Sequence, residues 1–357
     1  MNTSETVFMT GFPGFIAGRL LRRLVRDRFK FLLLVQPALV AQAREDLAKL
    51  EQLTGRNEGD FRILPGDITV PDLGLSESDR QIALNETTVL FHLAALYDLA
   101  VSRQLAVHVN LEGTRNVNLY AQASRNLRHY HYISTCYVAG KREGRILETE
   151  LQHDAGFRNH YEETKYLAEI EVEELKKSLP VTIHRPAVVC GDSVTGETAK
   201  YDGVYYLINY ILRWPAALSL FNIGNSTVRL NIVPVDFVVE ALALLATDQR
   251  VIAKTLQIAD PNPLTTEELF DVIARCAASR SSRLTIPAAL VEFSLMLPLA
   301  PLVTRLPHHG VPYFFIKQNY DTVLSSKALG RHNVYCPSFV SYVEKIVDFA
   351  AHHPHLD

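Results

Sequence analysis

A doubly wound α/β fold, with a parallel sheet, helices on both faces and a smaller, mainly helical C-terminal part, is predicted by three features of the sequence. Short apolar runs alternate with amphipathic helical patterns through the first half of the chain. A glycine-rich turn separates the first run from the first helix. After about Gly191 the alternation gives way to a loop-rich aromatic stretch and then to apolar helices punctuated by proline.

The runs at 7–10, 31–35, 61–64, 88–92, 129–134 and 181–185 read as buried strands. They are short, rich in aliphatic or β-branched residues, and bounded by Gly, Pro or polar turns. The first intervening helix places Ile16, Leu20, Leu24 and Val25 on one side and Arg19, Arg22, Arg23 and Arg26 largely on the other. From 191 to 228 the chain carries Tyr201, Tyr205, Tyr206, Tyr210, Trp214 and Phe221, residues that suit a substrate cleft or a structural cluster. Residues 231–236 and 256–259 look like a return to the sheet. The expected division is a sheet-forming unit over 1–190, rejoined by 229–260, and a substrate-binding cap over 191–228 and 261–357. A cleft between them is where a ligand is expected.

Composition narrows the function classes. With 357 residues, 48% of them hydrophobic and 21% charged, the chain reads as a globular protein able to bury a full core. A formal net charge of -3 argues against a nucleic-acid partner. The four cysteines (Cys136, Cys190, Cys276, Cys336) show no C-x-x-C spacing, so neither a metal site nor a disulfide framework is expected, and a reducing cytoplasm fits. The histidines are scattered, the tightest group being His352, His353 and His355. No basic segment leads into an apolar one at the N-terminus. The apolar stretch 286–303 holds Glu292, Pro287, Pro298 and Pro301, which argues against a membrane-spanning helix. It is left open as core, subunit contact, acyl channel or peripheral bilayer contact.

The turn is Thr10-Gly11-Phe12-Pro13-Gly14-Phe15-Ile16-Ala17-Gly18, running straight into a helix. A Cβ at either of the first two glycines would block the turn and the pyrophosphate it serves, while the helix N-terminus offers free N–H groups and a positive dipole end. Placed at the start of a β-α-β unit, the pattern points to a dinucleotide and a Rossmann-type sheet. Ala17 stands at the third glycine position, which tolerates alanine. Asp67 is expected beside the adenine amino group, or as a solvated turn residue. The second strand ends in Gln36-Pro37, neither an acid for a ribose diol nor a base for a 2′-phosphate. Arg19 or Arg44 could serve a 2′-phosphate or be no more than a solvated helix charge, and NADPH is favoured over NADH.

Tyr161 and Lys165 stand at i and i+4 near a predicted helix start and so share a face. A phenol, with an ordinary pKa of about 10, becomes a useful acid–base at neutral pH beside an ammonium that favours the phenolate. Lys165 could also hold the nicotinamide ribose. Ser134-Thr135 closes the preceding strand and offers a hydroxyl for a substrate oxygen. Asn110, on an earlier helix, is expected either to anchor Lys165 through a water or to be a buried structural amide. His92 is assigned to the strand end that carries the cofactor.

With the turn, Ser134-Thr135, Tyr161 and Lys165 in order, the first 240 residues resemble the extended short-chain dehydrogenase/reductase family. The segments 66–76, 185–186 running to 191–196, and 231–236 are similar to one branch, the fatty acyl-CoA reductases and thioester reductase domains. The resemblance implies Thr135 or Ser134, Tyr161 and Lys165 as the catalytic set, with NAD(P)H bound by the first domain. It also implies cofactor contacts at Ile68, Leu93, Ala94, Ala95, Pro186 and Val188. Gln36 departs from the arginine common at its position in that branch. The sequence shows no adenylation or carrier domain, so an acyl thioester would arrive on CoA or a separate carrier protein.

The function expected is reduction of a lipophilic acyl thioester or aldehyde. The same residues would also suit a hydroxysteroid-type alcohol dehydrogenase, or a nucleotide-sugar epimerase or dehydratase using Arg213, Arg229, Arg275, Arg280 or Arg283 at a diphosphate. A cofactor sensor without chemistry is disfavoured, because Thr135, Tyr161 and Lys165 are all intact. A homodimer through Tyr166, Leu167, Ala168, Ile170 and Val172 is left open.

Overall fold

The computed structural model describes residues 5–27, 29–213, 221–222, 224–278, 284–285 and 311–356. The apolar stretch 286–303, Trp214, Arg280 and Arg283 lie outside them. Seven parallel strands form the main sheet: β1 (Thr6–Thr10), β2 (Lys30–Val35), β3 (Phe61–Pro65), β4 (Val89–His92), β5 (His129–Ile133), β7 (Val181–Pro186) and β11 (Thr255–Ile258). Their spatial order is β11-β7-β5-β4-β1-β2-β3. The chain winds outward in one direction from β1 and in the other from β4, so the strand order reverses between them. Open α/β sheets bind ligands beyond the carboxyl ends of their strands at such a switch.

The strands read as apolar runs because both faces are covered. Val7 and Met9 face a core shared with α1 (Phe15–Leu24) and α8 (Val235–Leu245), to which Leu20, Leu24 and Leu242 belong. Phe8, between them, faces the opposite core with Leu32, Leu90 and Tyr132, closed by Val117 of α5 (Gly113–Ala123) and by Ala168 and Val172 of α6 (His160–Leu175). The helices α2 (Val40–Thr54) and α3 (Glu77–Glu86) complete these layers, α2 on the first and α3 on the second. Ahead of α5, α4 (Arg103–Ala106) passes into a π-helical turn, Val107–Glu112.

A separate core joins α7 (Val204–Arg213), α9 (Thr266–Ala278) and α11 (Phe339–His352) through Tyr205, Ile208, Phe270, Ile273, Tyr342 and Ile346. Two sequence expectations need correction. Residues 232–234 do not rejoin the main sheet; they form β10 (Ile232–Pro234), paired in parallel with β8 (Val188–Cys190). Pro186 ends β7, and Ala187 steps β8 out of the main sheet to give that pairing. Nor does all of 261–357 stand apart. The helix α10 (Val323–Gly330) puts Ala328 and Leu329 into the core of β1 and α1, and β13 (Gln318–Tyr320) pairs with β6 (Gly144–Ile146). A third short pair joins β9 (Phe221–Asn222) to β12 (Leu284–Thr285).

Candidate active site

The phosphate turn leaves β1 at Gly11, whose φ of +93° lies in the left-handed region that favours glycine. A Cβ there would sit 2.9 Å from the Ala94 N, and one on Gly14 would sit 2.6 Å from the Gly11 O. Gly14 caps α1, so the first N–H groups of that helix open onto the turn. Behind it runs a relay of hydrogen bonds with assignable directions. The Ala94 N–H donates to the Thr10 hydroxyl (3.1 Å), which donates to His92 Nδ1 (2.8 Å). His92 Nε2 donates to the Thr114 hydroxyl (3.1 Å), which donates to the Asn110 carbonyl (2.7 Å). His92 is thereby neutral, and burial, helped by the Lys165 charge, pushes its pKa down to about 3.

The proton-transfer groups stand on β5 and α6. Asn159 caps α6 by accepting from the Glu162 N–H (3.0 Å), which sets Tyr161 and Lys165 in its first turns. Both are buried. Burial raises the Tyr161 pKa, and the Thr135 hydroxyl beside it works in the opposite direction. The expected lowering of the phenol by Lys165 is not seen. The lysine turns to the Tyr132 hydroxyl (2.9 Å) and the Ile133 carbonyl (2.8 Å), and burial lowers its own pKa to about 7 despite Glu169. Ser134 and Thr135 diverge. Ser134 donates to buried Glu169, which is held by Arg185 (2.6 Å), whereas the Thr135 hydroxyl accepts from the Tyr137 N–H (3.2 Å) on the Tyr161 side.

A cleft of about 360 Å³ joins these parts. It is lined by Gly11, Gly14, Phe15 and Ile16 of the turn, by Leu93, Ala94 and Ala95 after β4, by Ser134, Thr135, Tyr161 and Lys165, and by Pro186 and Val188. Among the described residues no group of three or more His, Cys, Asp or Glu could hold a metal ion, and no helix is long and apolar enough to cross a membrane.

Residues 9–242 match the family model described as male sterility protein. The chain belongs to the male sterility protein family. It falls in the fatty acyl-CoA reductase and thioester reductase branch of the extended short-chain dehydrogenases/reductases. It is 26% identical over 278 residues to the fatty acyl-CoA reductase wat of Drosophila melanogaster, an alignment covering 68% of this chain and 54% of that one. It is 26% identical over 288 residues to the glycine betaine reductase ATRR of Emericella nidulans, covering 76% of this chain and 22% of that one. The chain therefore spans about half the length of the fatty acyl-CoA reductase it matches, and less of the second relative. Among solved structures it superposes on the terminal R domain of the myxalamid PKS-NRPS pathway with a TM-score of 0.82 and 25% identity, covering 99% of this chain and 92% of that one.

Within this male sterility fold, several residues singled out from sequence do not line the cleft. Phe12 packs in the core beneath the turn, and Pro13 lies outside the lining. Gln36 donates to Asp67 Oδ2 (2.9 Å), and Asp67 Oδ1 accepts from the Thr69 N–H and hydroxyl (2.8 Å each), while Ile68 is packed against Gly113. Asn110 is buried. Its amide clasps the backbone of Leu96, accepting from the N–H (2.7 Å) and donating to the carbonyl (3.2 Å), and also donates to Thr164 (3.2 Å). Arg19 pairs with Asp192 and Glu197 rather than standing free for a 2′-phosphate. Arg229 donates to the Pro263 carbonyl.

Sequence reasoning missed Tyr97, Tyr137, Thr198, Lys200 and Asp202, all of which line the cleft. The Tyr97 ring meets the Tyr161 ring edge-on at 5.1 Å, and Lys200 Nζ lies 5.0 Å from the centre of the Tyr97 ring. Asp202, 3.9 Å from Lys200, has its pKa raised to about 6 by burial. No periodicity marks these loop residues. The only local signal was Tyr97 close behind a strand end.

Proposed function

We propose that this protein reduces a lipophilic carbonyl, an acyl thioester or an aldehyde, at the expense of a reduced nicotinamide dinucleotide, with Thr135, Tyr161 and Lys165 carrying the chemistry. The observation that carries the reading is the single cleft lined by the phosphate turn, Thr135, Tyr161 and Lys165 together. The chain fits such a cofactor. Gly11 and Gly14 leave a cradle that a Cβ would fill, and the N-terminus of α1 opens onto it. Gly11, Gly14, Phe15 and Ile16 would hold the pyrophosphate side, and Lys165, Pro186 and Val188 the nicotinamide side.

When bound, a reduced nicotinamide supplies a hydride to a carbonyl carbon. Thr135 and Tyr161 are the donors for the oxygen on which charge then develops. Burial keeps Tyr161 in its neutral form at working pH, which suits a proton donor. Lys165, its pKa lowered to about 7 by burial, lines the same cleft and would hold the nicotinamide ribose. The walls at Tyr97, Tyr137 and Val188 are continuous with a small apolar hollow lined by Leu99, Tyr206, Leu230 and Phe314, which supports a greasy substrate. The likeness to a fatty acyl-CoA reductase and to the terminal R domain of a PKS-NRPS pathway supports a thioester carried on CoA or a carrier domain. With Arg19 engaged elsewhere, the preference for NADPH rests on Arg44 alone.

The test is anaerobic titration with NADPH and NADH, followed by a panel of acyl-CoA thioesters and long-chain aldehydes. Thiol release with loss of reduced-nicotinamide absorbance is expected. Tyr161→Phe should lower turnover by about 100-fold or more while cofactor affinity stays near normal. Near-normal turnover of that variant removes Tyr161 from the mechanism. Tight cofactor binding without oxidation across the whole panel would move the reading to the alcohol dehydrogenase and sugar-nucleotide alternatives.

A further inference from the structure

Arg19 lies within the second turn of α1, directly behind the phosphate turn. Its guanidinium stands over the Phe15 ring at 4.9 Å and donates through Nη1 to Asp192 Oδ2 at 3.2 Å. Its Nη2 makes a charge contact with Glu197 Oε2 at 3.0 Å without an aligned hydrogen bond. Arg19 and Asp192 are mostly buried, with side chains 17% and 15% exposed. Both acids belong to the segment between β8 and α7, which also sends Thr198, Ala199, Lys200 and Asp202 into the cleft.

That segment is a built turn. The Asp192 N–H donates to the Glu197 carbonyl (3.0 Å), and the Gly196 N–H donates to the Asp192 carbonyl (2.8 Å). Asp192 Oδ1 accepts from the N–H groups of Val194 and Thr195 (3.0 Å each), leaving Oδ2 for Arg19. Ser193 ties the turn to Asp236 at the start of α8, through its N–H (2.8 Å) and its hydroxyl (2.6 Å). Gly196, with φ of +75°, presses against α11 so closely that a Cβ would meet the Lys345 carbonyl. The turn is thus anchored to α8 and α11, and Arg19 links it to the helix of the phosphate turn. At its far end Lys200 and Asp202 back Tyr97, which leans on Tyr161.

We propose that Arg19 is a positioning residue for the cofactor. By holding Asp192 and Glu197 it fixes the 192–202 segment as a wall of the dinucleotide cleft, and so slows release of the bound cofactor. This role rests on the reading of the cleft as a nicotinamide dinucleotide site. It differs from the direct role that an arginine near the turn invites, because here the guanidinium acts through two carboxylates.

The experiment uses the full chain, with NADPH and NADH as probes, nicotinamide fluorescence for affinity and stopped flow for release. Arg19→Met keeps an apolar stem over Phe15 and removes the charge. Asp192→Asn with Glu197→Gln removes the acids yet retains an Oδ1 acceptor for Val194 and Thr195. Both variants should weaken binding by about 3- to 10-fold, mostly through faster release, the range open to a half-buried ion pair. Release from the native protein should quicken with salt, and release from either variant should not. Arg19→Lys should recover part of the affinity. Tighter or unchanged binding in the acid-free variant, with weaker binding in Arg19→Met, would show that Arg19 meets the cofactor directly and would overturn the proposal. Unchanged release in both variants overturns it as well. Native protein that binds neither nucleotide would instead defeat the reading of the cleft, and the positioning role with it.

Discussion

Ser134 and Thr135 are adjacent hydroxyls at the end of one strand, and successive side chains of extended chain point to opposite sides. That alternation separates their roles. The Ser134 hydroxyl serves the buried Glu169–Arg185 pair, whose side chains are 0% and 2% exposed. Glu169 Oε1 is taken by Arg185, so loss of Ser134 strips Oε2 of its donor. Ser134→Ala is therefore expected to cost about 1–3 kcal/mol of stability in urea unfolding, with turnover changed only a few-fold. Thr135→Ala should do the reverse, lowering turnover about 10- to 100-fold with little change in the urea midpoint. If the two variants exchange these signatures, the substrate oxygen belongs to Ser134. Sequence could nominate both residues and could not choose between them, because the choice depends on which side of the strand end faces α6.

At the scale of elements, the π turn Val107–Glu112 turns Asn110 toward the loop that leaves β4. Such single-turn widenings often sit at functional sites. Here the amide stands in for a strand neighbour by pairing with both backbone groups of Leu96, next to Tyr97. Asn110→Ala should leave those groups unpaired and cost about 1–3 kcal/mol, measured by urea unfolding. A cost near zero would mean that other contacts hold the loop. The elements that were legible in sequence share a physical reason. The main-sheet strands are buried on both faces, so β1, β2, β4, β5 and β7 announced themselves as runs. Gly11 and Gly14 are required by close approach, and Tyr161 and Lys165 by helical spacing. Tyr97, Lys200 and Asp202 reach the cleft on loops whose course is set by distant pairs such as Arg19–Asp192 and Gly196–Lys345, which leave no local pattern. Strands of three residues, such as β8 and β10, carry too little periodicity to be paired from sequence.

At the scale of the whole molecule, four buried histidines among the described residues bind the sheet to pH. His131 Nε2 donates to the Ala246 carbonyl (3.0 Å), so its Nδ1 accepts from His184 Nε2 (3.0 Å). Thr182 spends its proton on the Val251 carbonyl (2.8 Å) and accepts from His129 Nε2 (2.8 Å). Among the described residues the Nδ1 atoms left over on His129 and His184 have no partner, which a neutral ring tolerates as a lone pair and a protonated ring does not. Burial accordingly lowers the pKa of His184 and His92 to about 3, of His129 to about 4, and of His131 well below its ordinary value. Each folded value lies below the unfolded 6.5, so the unfolded chain binds more protons between the two. Stability is therefore complete above about pH 6.5 and is lost as pH falls toward 4, at about 1.4 kcal/mol per pH unit for each histidine. By pH 5 four such groups together remove on the order of 8 kcal/mol, comparable with a total stability on the order of 5–15 kcal/mol, and they do so above the range where Asp248, at about 2, takes up its proton. Melting temperature should fall steadily from pH 6.5 to 5, and His129→Gln should move the acid transition to lower pH. Cofactor binding should fail in the same window, because the unfolded chain offers no phosphate turn; in the protein that stays folded His92, with its pKa near 3, remains neutral and keeps the Thr10–Ala94 relay intact. A melting temperature that stays flat from pH 7.5 to 5 would mean that these rings accept protons within the folded core, and would exclude the histidine core as the origin of acid lability.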